Sequence, residues 1–175
     1  INAIPRKRLF TQIEPDGKQP HELRRTLAFG YSQFNLSHFI DIFMMARKIG
    51  ISIDNATSED GRSFYKAMDF LVPYVGKDVK AWPYQQISEW KYKQQEFCKD
   101  LYRTFLLNPE RKDYLKLYKT HRIIDWKDRF NLLWMEADDV DNAYAFACGQ
   151  LQFAMQCAAT VSYTHLRAHE TLSDL

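Results

Sequence analysis

The most constraining feature of this chain is a long apolar run at helical spacing that begins after a proline and ends at a glycine. Its apolar positions are Leu23, Leu27, Phe34, Leu36, Phe39, Ile40, Phe43 and Met44. Pro20 suits the first turn of a helix, and Gly50 suits the position just beyond its last turn. The spacing therefore predicts one continuous helix from about His21 to Ile49.

The rest of the chain repeats this periodicity in shorter segments that are bounded by proline, glycine and asparagine. The predicted helices carry Phe64, Met68, Leu71 and Val75; then Ile87, Trp90, Phe97, Leu101 and Phe105 within Tyr84 to Leu107; then a helix capped by Asn108 with Pro109 at its first position; and last Tyr144, Ala147, Leu151, Met155 and Ala158. No fixed-period repeat is found. The pattern predicts an all-α fold of antiparallel helices, and favours a curved bundle or an α/α toroid over a four-helix bundle.

Charge and composition exclude several classes of protein. The formal net charge of +2 is too small for nucleic-acid binding by counterion release, and no apolar run reaches the length of a membrane span. Cys98, Cys148 and Cys157 form no CxxC pair, so neither a disulfide framework nor a zinc site is predicted. Cys148 and Cys157 fall in an apolar helical pattern and are interpreted as buried free thiols.

The two ends of the chain differ from the segment between them. The chain starts at Ile1 without a methionine or a signal-peptide pattern, so we expect a further N-terminal portion. Residues 161–171, VSYTHLRAHET, resemble a translated sequencing adapter, and we interpret 161–175 as a non-native tail behind a domain of residues 1–160. His165 and His169 have the helical spacing of a metal site, but they lie in this tail and are set aside.

The segment from Asp16 to Leu36 is the part of the chain that suggests chemistry. On a regular helix, four polar residues fall within roughly 40° of one direction. They are Arg24, Tyr31, Asn35 and His38. Arg25 would point about 120° away from Tyr31 on such a helix, but its long side chain and an irregular first turn keep it a candidate. Such a stripe is typical either of a cleft wall or of a solvated helix face with a half-buried tyrosine.

Several short motifs, in order, resemble the alginate-lyase superfamily of polysaccharide lyases. They are PDG-x-QP at 15–20, E-L-x-R at 22–25 and Y-S-x-F-N-L at 31–36, followed by DGRSFYKAMDFLVPYV at 60–75 and YAFACGQLQFAMQCA at 144–158. The resemblance implies a partial α/α toroid with a long groove, that is, an incomplete barrel of antiparallel helices. Gly30 departs from the family pattern, because relatives often carry histidine immediately before the tyrosine.

The resemblance also implies a reaction and the residues that perform it. The reaction is β-elimination in a uronic-acid polymer, alginate or a related polyuronate, with Tyr31 as the proton relay and Arg25 as the arginine of E-L-x-R. Arg24 remains a rival for that role because it shares the predicted face of Tyr31. The substrate-binding candidates are Arg24, Asn35, His38 and Gln19. No metal or cofactor is expected for this chemistry.

Further expectations follow from the same resemblance. The asparagine and histidine that the family places upstream are not found here, so we expect the chain alone to be inactive. The partner would be an acidic polysaccharide, met in the periplasm or outside the cell. Two alternatives stay open: a carbohydrate-binding relative that keeps the fold without the chemistry, and a helical interaction domain with no sugar partner.

Overall fold

The computed structural model describes residues 1–123 and 128–134. The chain divides into two units, Ile1–Ile123 and Ile124–Leu175, and the candidate site lies in the first of them. The predicted closing helix, Cys148, Cys157 and the adapter-like tail of residues 161–175 lie outside the described residues.

The prediction of an all-α fold is confirmed. The described elements are a π-helical turn at Pro5–Leu9, α1 at Phe10–Gln12, α2 at Pro20–Leu23, α3 at Ala28–Lys48, α4 at Phe64–Leu71, two 3₁₀ turns at Val72–Tyr74 and Val79–Ala81, α5 at Trp90–Leu107, α6 at Lys112–His121 and, in the second unit, α7 at Arg129–Trp134. Extended pairing in this part of the chain is limited to two isolated bridges. No helix among the described residues is long and apolar enough to cross a membrane.

The prediction of one helix from His21 to Ile49 is wrong, because the chain leaves the helical conformation between α2 and α3. Leu27 forms an antiparallel bridge with Gln86 at this break. The Gln86 side chain then accepts hydrogen bonds from the backbone N–H groups of Phe29 (3.0 Å) and Gly30 (3.4 Å). Free N–H groups at a helix start need acceptors, and here a glutamine far along the sequence supplies one.

The same pairing explains why α5 begins later than the helix predicted to start at Tyr84. Residues 84–88 do not join α5, which starts at Trp90, and Ile87 is 67% exposed although the pattern predicts it to be buried. The backbone N–H of Ile87 donates to the carbonyl of Thr26 at 3.1 Å. This hydrogen bond and the bridge between Leu27 and Gln86 therefore keep the segment before α5 out of the helix.

The start of the fourth helix is also predicted wrongly. Asn108 ends α5 and its side chain accepts from the backbone N–H of Glu110, whereas α6 begins at Lys112. Asn108 and Pro109 thus form a turn between the two helices. An asparagine before a proline fits both arrangements, since each places its side-chain oxygen on a nearby free N–H.

The core of the first unit is an aromatic cluster centred on Phe29. This side chain is fully buried, and its ring meets Trp90 at 5.0 Å, Trp82 at 5.4 Å and Phe97 at 5.7 Å, all edge to face. Edge-to-face contacts are favourable for aromatic rings. Because Phe29 precedes Gly30 and Tyr31 in α3, this cluster anchors the part of the helix that carries the candidate site.

A buried polar pair joins α3 to α5. The Gln33 amide donates to the carboxylate of Asp100 at 2.6 Å, and Arg103 lies 3.3 Å from the same carboxylate. Burial raises the pKa of the Asp100 carboxyl to about 6, and the Gln33 hydrogen bond and the Arg103 charge only partly oppose this rise. A carboxylate in this position costs stability whenever it is ionised.

This pair gives the first prediction, which concerns the dependence of stability on pH. Between about pH 4 and pH 6 the folded state holds the Asp100 proton more tightly than the unfolded chain, so the contribution of this group to stability falls as pH rises. Asp100→Asn removes the titration and retains an oxygen acceptor for Gln33. We expect the variant to gain on the order of 2–3 kcal/mol relative to the wild type between about pH 4 and pH 7.

Urea denaturation of both proteins at the two pH values measures this gain. All other ionisable groups are common to the two proteins, so most of their effect cancels in the difference. A difference in the free energy of unfolding that does not change with pH would contradict the prediction.

Candidate functional site

An open cleft lies where the start of α3 meets the start of α5. Its volume is about 220 Å³. It is lined by Leu27, Gly30, Tyr31, Phe34, Glu89 and Lys93. This space, called the Tyr31 cleft below, places the predicted catalytic tyrosine beside an exposed aromatic ring and two ionisable side chains from another helix.

Arg25 packs directly on Tyr31. The carbon of its guanidinium lies 3.6 Å from the centroid of the tyrosine ring, in a cation–π contact. Tyr31 is half-buried and Arg25 is exposed. The contact fixes a positive charge on the face of the ring while it leaves the guanidinium N–H groups accessible, which suits the binding of a carboxylate beside a proton-transferring phenol.

The break before α3 also changes the geometric comparison between the two arginines. Arg24 ends α2 and belongs to no common helix with Tyr31, so the predicted shared face of Arg24 and Tyr31 does not exist in the structure. Arg25, which a regular helix would turn away, reaches the tyrosine because the chain turns between α2 and α3. Arg24 is exposed on the surface near the end of α2.

Asn35 and His38 lie in a different cleft from Tyr31. This second cleft, the His38 cleft, has a volume of about 410 Å³ and is lined by Ile4, Arg8, Gln12, Asn35, His38, Phe39 and Ile42. The Asn35 amide donates to Gln12 at 3.0 Å and to Gln19 at 2.7 Å. His38 is exposed, and its Nδ1 lies 2.7 Å from the carbonyl oxygen of Phe34. The predicted polar stripe is therefore divided between two spaces.

One pair of rings separates these two clefts. Phe34 lines the Tyr31 cleft and His38 lines the His38 cleft, and their ring centroids are 4.3 Å apart. Phe34 is 55% exposed, although the apolar pattern predicts it to face the core. The Phe34 ring therefore offers an exposed apolar surface beside the polar groups of the two clefts.

Gln19 supports the site from inside and does not line either cleft. Its side chain is 1% exposed, donates to the carbonyl of Ser32 at 3.2 Å and accepts from Asn35. Gly17 of the same motif has φ of 86°, and a Cβ there would lie 2.1 Å from the carbonyl oxygen of Lys66. The PDG-x-QP motif thus fixes a turn against α4 and braces α3, which is a positioning role.

Glu89 and Lys93 are cleft residues that the sequence pattern does not reveal. Glu89 caps α5 in a left-handed conformation with φ of 60°, which is the one positive φ of a non-glycine residue in the described part of the chain. Such conformations are costly and are concentrated at functional sites. Lys93 lies one helical turn further on. From the sequence alone it is interpreted as part of a solvated helix face, whereas in the structure it lines the cleft. Tyr31 and Lys93 are far apart in the sequence, so no local pattern predicts that they line the same cleft.

The described residues show no metal centre. No three histidine, cysteine, aspartate or glutamate side chains in that part of the chain come together as a metal site. Cys98 is buried, and burial raises the pKa of its thiol to about 12, so the thiol stays protonated near neutral pH.

Comparisons with known proteins agree on one family. A family model described as Alginate lyase matches residues 1–82. A solved structure, the crystal structure of an alginate lyase from Bacteroides ovatus, matches with a TM-score of 0.73 and 47% sequence identity over 77% of this chain. The match covers 35% of that enzyme, so the chain spans about a third of its length. No curated protein matches the chain.

The fold and these matches define the class of protein. The chain is an all-α protein with the helical architecture of the solved lyase, and an incomplete α/α toroid fits the share of that enzyme which it covers. Both matches support a member of the alginate lyase superfamily.

Proposed function

We propose that this chain forms part of the active site of a polysaccharide lyase that cleaves a uronic-acid polymer, alginate or a related polyuronate, by β-elimination. The observation that carries the proposal is the Arg25 guanidinium stacked 3.6 Å from the centre of the Tyr31 ring in an open cleft. The match of the Alginate lyase family model to the residues around this pair supports it.

The reaction needs a proton to leave the sugar carbon next to the carboxylate and a proton to reach the leaving oxygen. The electron pair of the broken C–H bond forms the new double bond, and the glycosidic C–O bond breaks with its electrons on oxygen. In the proposal Tyr31 moves a proton in this exchange, taking it from the sugar or giving it to the leaving oxygen. Arg25 pairs with the substrate carboxylate, where negative charge grows during proton removal.

The two clefts give the polymer more than one place to bind. In the proposal Phe34 supports the apolar face of a sugar ring, and His38 and Asn35 contact a neighbouring sugar in the His38 cleft. Arg8 lines this second cleft and is exposed, so it adds a positive charge there. Gln19 acts through Asn35, and Arg24 contributes to the charge at the rim.

The remaining parts of the proposal rest on the family. The lyase acts in the periplasm or outside the cell, where the polymer is found, and residues 1–160 form the lyase portion ahead of a non-native tail at 161–175. We propose that the chain alone lacks activity because the family's upstream asparagine and histidine are not among its residues. A carbohydrate-binding role without chemistry is the second candidate, favoured by the exposed Phe34 ring beside His38.

A chimera tests the proposal. Residues 1–123 are introduced in place of the structurally matched segment of the Bacteroides ovatus alginate lyase, which supplies the rest of the fold. We expect the chimera to release sugars with an unsaturated end from alginate or glucuronan, detected by their ultraviolet absorbance. A folded chimera that binds the polymer but forms no unsaturated product would favour the non-catalytic alternative.

A further inference from the structure

Lys93 is the feature of the Tyr31 cleft that the proposed mechanism leaves without a role. It is half-buried on α5, it lines the cleft together with Tyr31, and no ion pair to it is found in the described part of the chain. Its ammonium lies 5.1 Å from the ring centroid of Tyr92, an exposed residue that holds it only weakly. A lysine that lines a cleft and forms no ion pair there is available to an anionic ligand.

Gly30 is what allows Lys93 to occupy this position. A Cβ at Gly30 would lie 3.1 to 3.3 Å from Cγ, Cδ and Cε of Lys93, so the lysine stem crosses α3 directly over the glycine. Gly30 adopts ordinary helical geometry within α3, and its backbone therefore does not demand glycine. The missing side chain instead makes room for the lysine, one residue before Tyr31.

Because Glu89 carries a negative charge into the Tyr31 cleft, an acidic ligand can bind there only if a positive charge lies nearby. Its carboxylate lines the same cleft one helical turn before Lys93, and no ion pair to it is found among the described side chains. A carboxylate alone would repel a polyanion. Lys93 offsets this repulsion within the cleft, while Arg25 supplies positive charge at the tyrosine ring.

We propose that Lys93 binds a carboxylate of the polymer in the Tyr31 cleft and thereby makes the cleft select sugar acids over neutral sugars, with Gly30 holding the space that the lysine needs. This inference rests on the proposed function, because it assigns a residue to the binding of the same substrate.

Binding to the 175-residue chain tests the inference directly. An oligouronate and the same oligosaccharide with its carboxyl groups reduced to alcohols are titrated into the wild type and into Lys93→Met by calorimetry. We expect the wild type to bind the acidic oligosaccharide about ten-fold or more tightly than the neutral one, since hydrogen bonds to charged groups are strong. Lys93→Met should lower this preference several-fold, with the share that Arg25 supplies remaining, and it should keep its affinity for the neutral sugar.

Two further variants separate a site effect from a general one. Lys91→Met makes the same change of charge on an exposed residue that does not line the Tyr31 cleft, and it should bind like the wild type. Gly30→Ala should weaken binding of the acidic oligosaccharide by displacing Lys93, with an unchanged or higher thermal midpoint, because alanine is the better helix former.

The outcomes distinguish this inference from the function on which it rests. A wild type that prefers the acidic sugar, with Lys93→Met keeping that preference or Lys91→Met losing it equally, would overturn the role of Lys93 and leave the proposed function standing. A wild type that binds neither oligosaccharide would count against the proposed function of this segment, and the inference would fall with it.

Discussion

Replacing Tyr31 by phenylalanine should lower kcat for polymer cleavage about 10²- to 10⁴-fold in the chimera with the Bacteroides ovatus enzyme, because positioned proton transfer contributes that much to catalysis. The substitution removes one hydroxyl. It leaves the aromatic face on which Arg25 lies, 3.6 Å from the ring centroid, and it leaves the packing of α3 unchanged. We therefore expect KM to change little. Initial rates of unsaturated product formation over a range of polymer concentrations measure both constants.

The matched control is Tyr92→Phe, which removes a hydroxyl from an exposed tyrosine of α5 that does not line the Tyr31 cleft. It should retain full activity. Full activity in Tyr31→Phe would remove Tyr31 from the mechanism. An equal loss in the two variants would point to a general effect on the fold instead of proton transfer.

Replacing Phe29 by alanine should lower the free energy of unfolding by about 3–5 kcal/mol, the usual cost of truncating a buried phenylalanine. The fully buried ring contacts Trp82, Trp90 and Phe97, so its removal opens a cavity at the centre of the aromatic cluster. A loss of this size is a large part of the stability of an ordinary domain. Chemical denaturation followed by circular dichroism measures the shift of the midpoint.

Phe34→Ala is the control for this prediction. It makes the same change five residues along the same helix, but Phe34 is largely exposed, so the free energy of unfolding should change by less than about 1 kcal/mol. Equal destabilisation by the two substitutions would contradict the packing described for α3. Because Phe34 lines the Tyr31 cleft, its replacement should instead weaken binding of the oligouronate.

Much of the fold could be predicted from the sequence because helical periodicity is a local signal. The C-terminal part of the long predicted helix, through Ile40 and Phe43, is helical and buried as the spacing indicates. The errors arise where distant segments meet. Gln86 caps α3 from far along the chain. The break before Ala28 and the non-helical segment before Trp90 arise from this long-range pairing and not from the residues next to them in the sequence.

The site shows the same limit. Tyr31 and its motif could be singled out from residue type and from the family resemblance. The family motif singled out Arg25, whereas its rival Arg24 rested on the assumption of a regular helix, which the break before α3 removes. Lys93 could not be found, since its position beside Gly30 depends on how α5 packs against α3.

In the proposed mechanism Arg25 and Tyr31 act as one catalytic unit, and a double-mutant cycle in the chimera measures the coupling between them. Arg25→Met should lower kcat/KM about 10²-fold or more, as expected for the loss of a charge-stabilising donor, while Arg24→Met should have a much smaller effect. We expect Arg25→Met/Tyr31→Phe to be about as slow as Tyr31→Phe alone, because the effects of residues that work as a unit are not additive. Losses that multiply in the double variant, or an Arg25→Met variant that keeps the activity of the parent chimera, would contradict it.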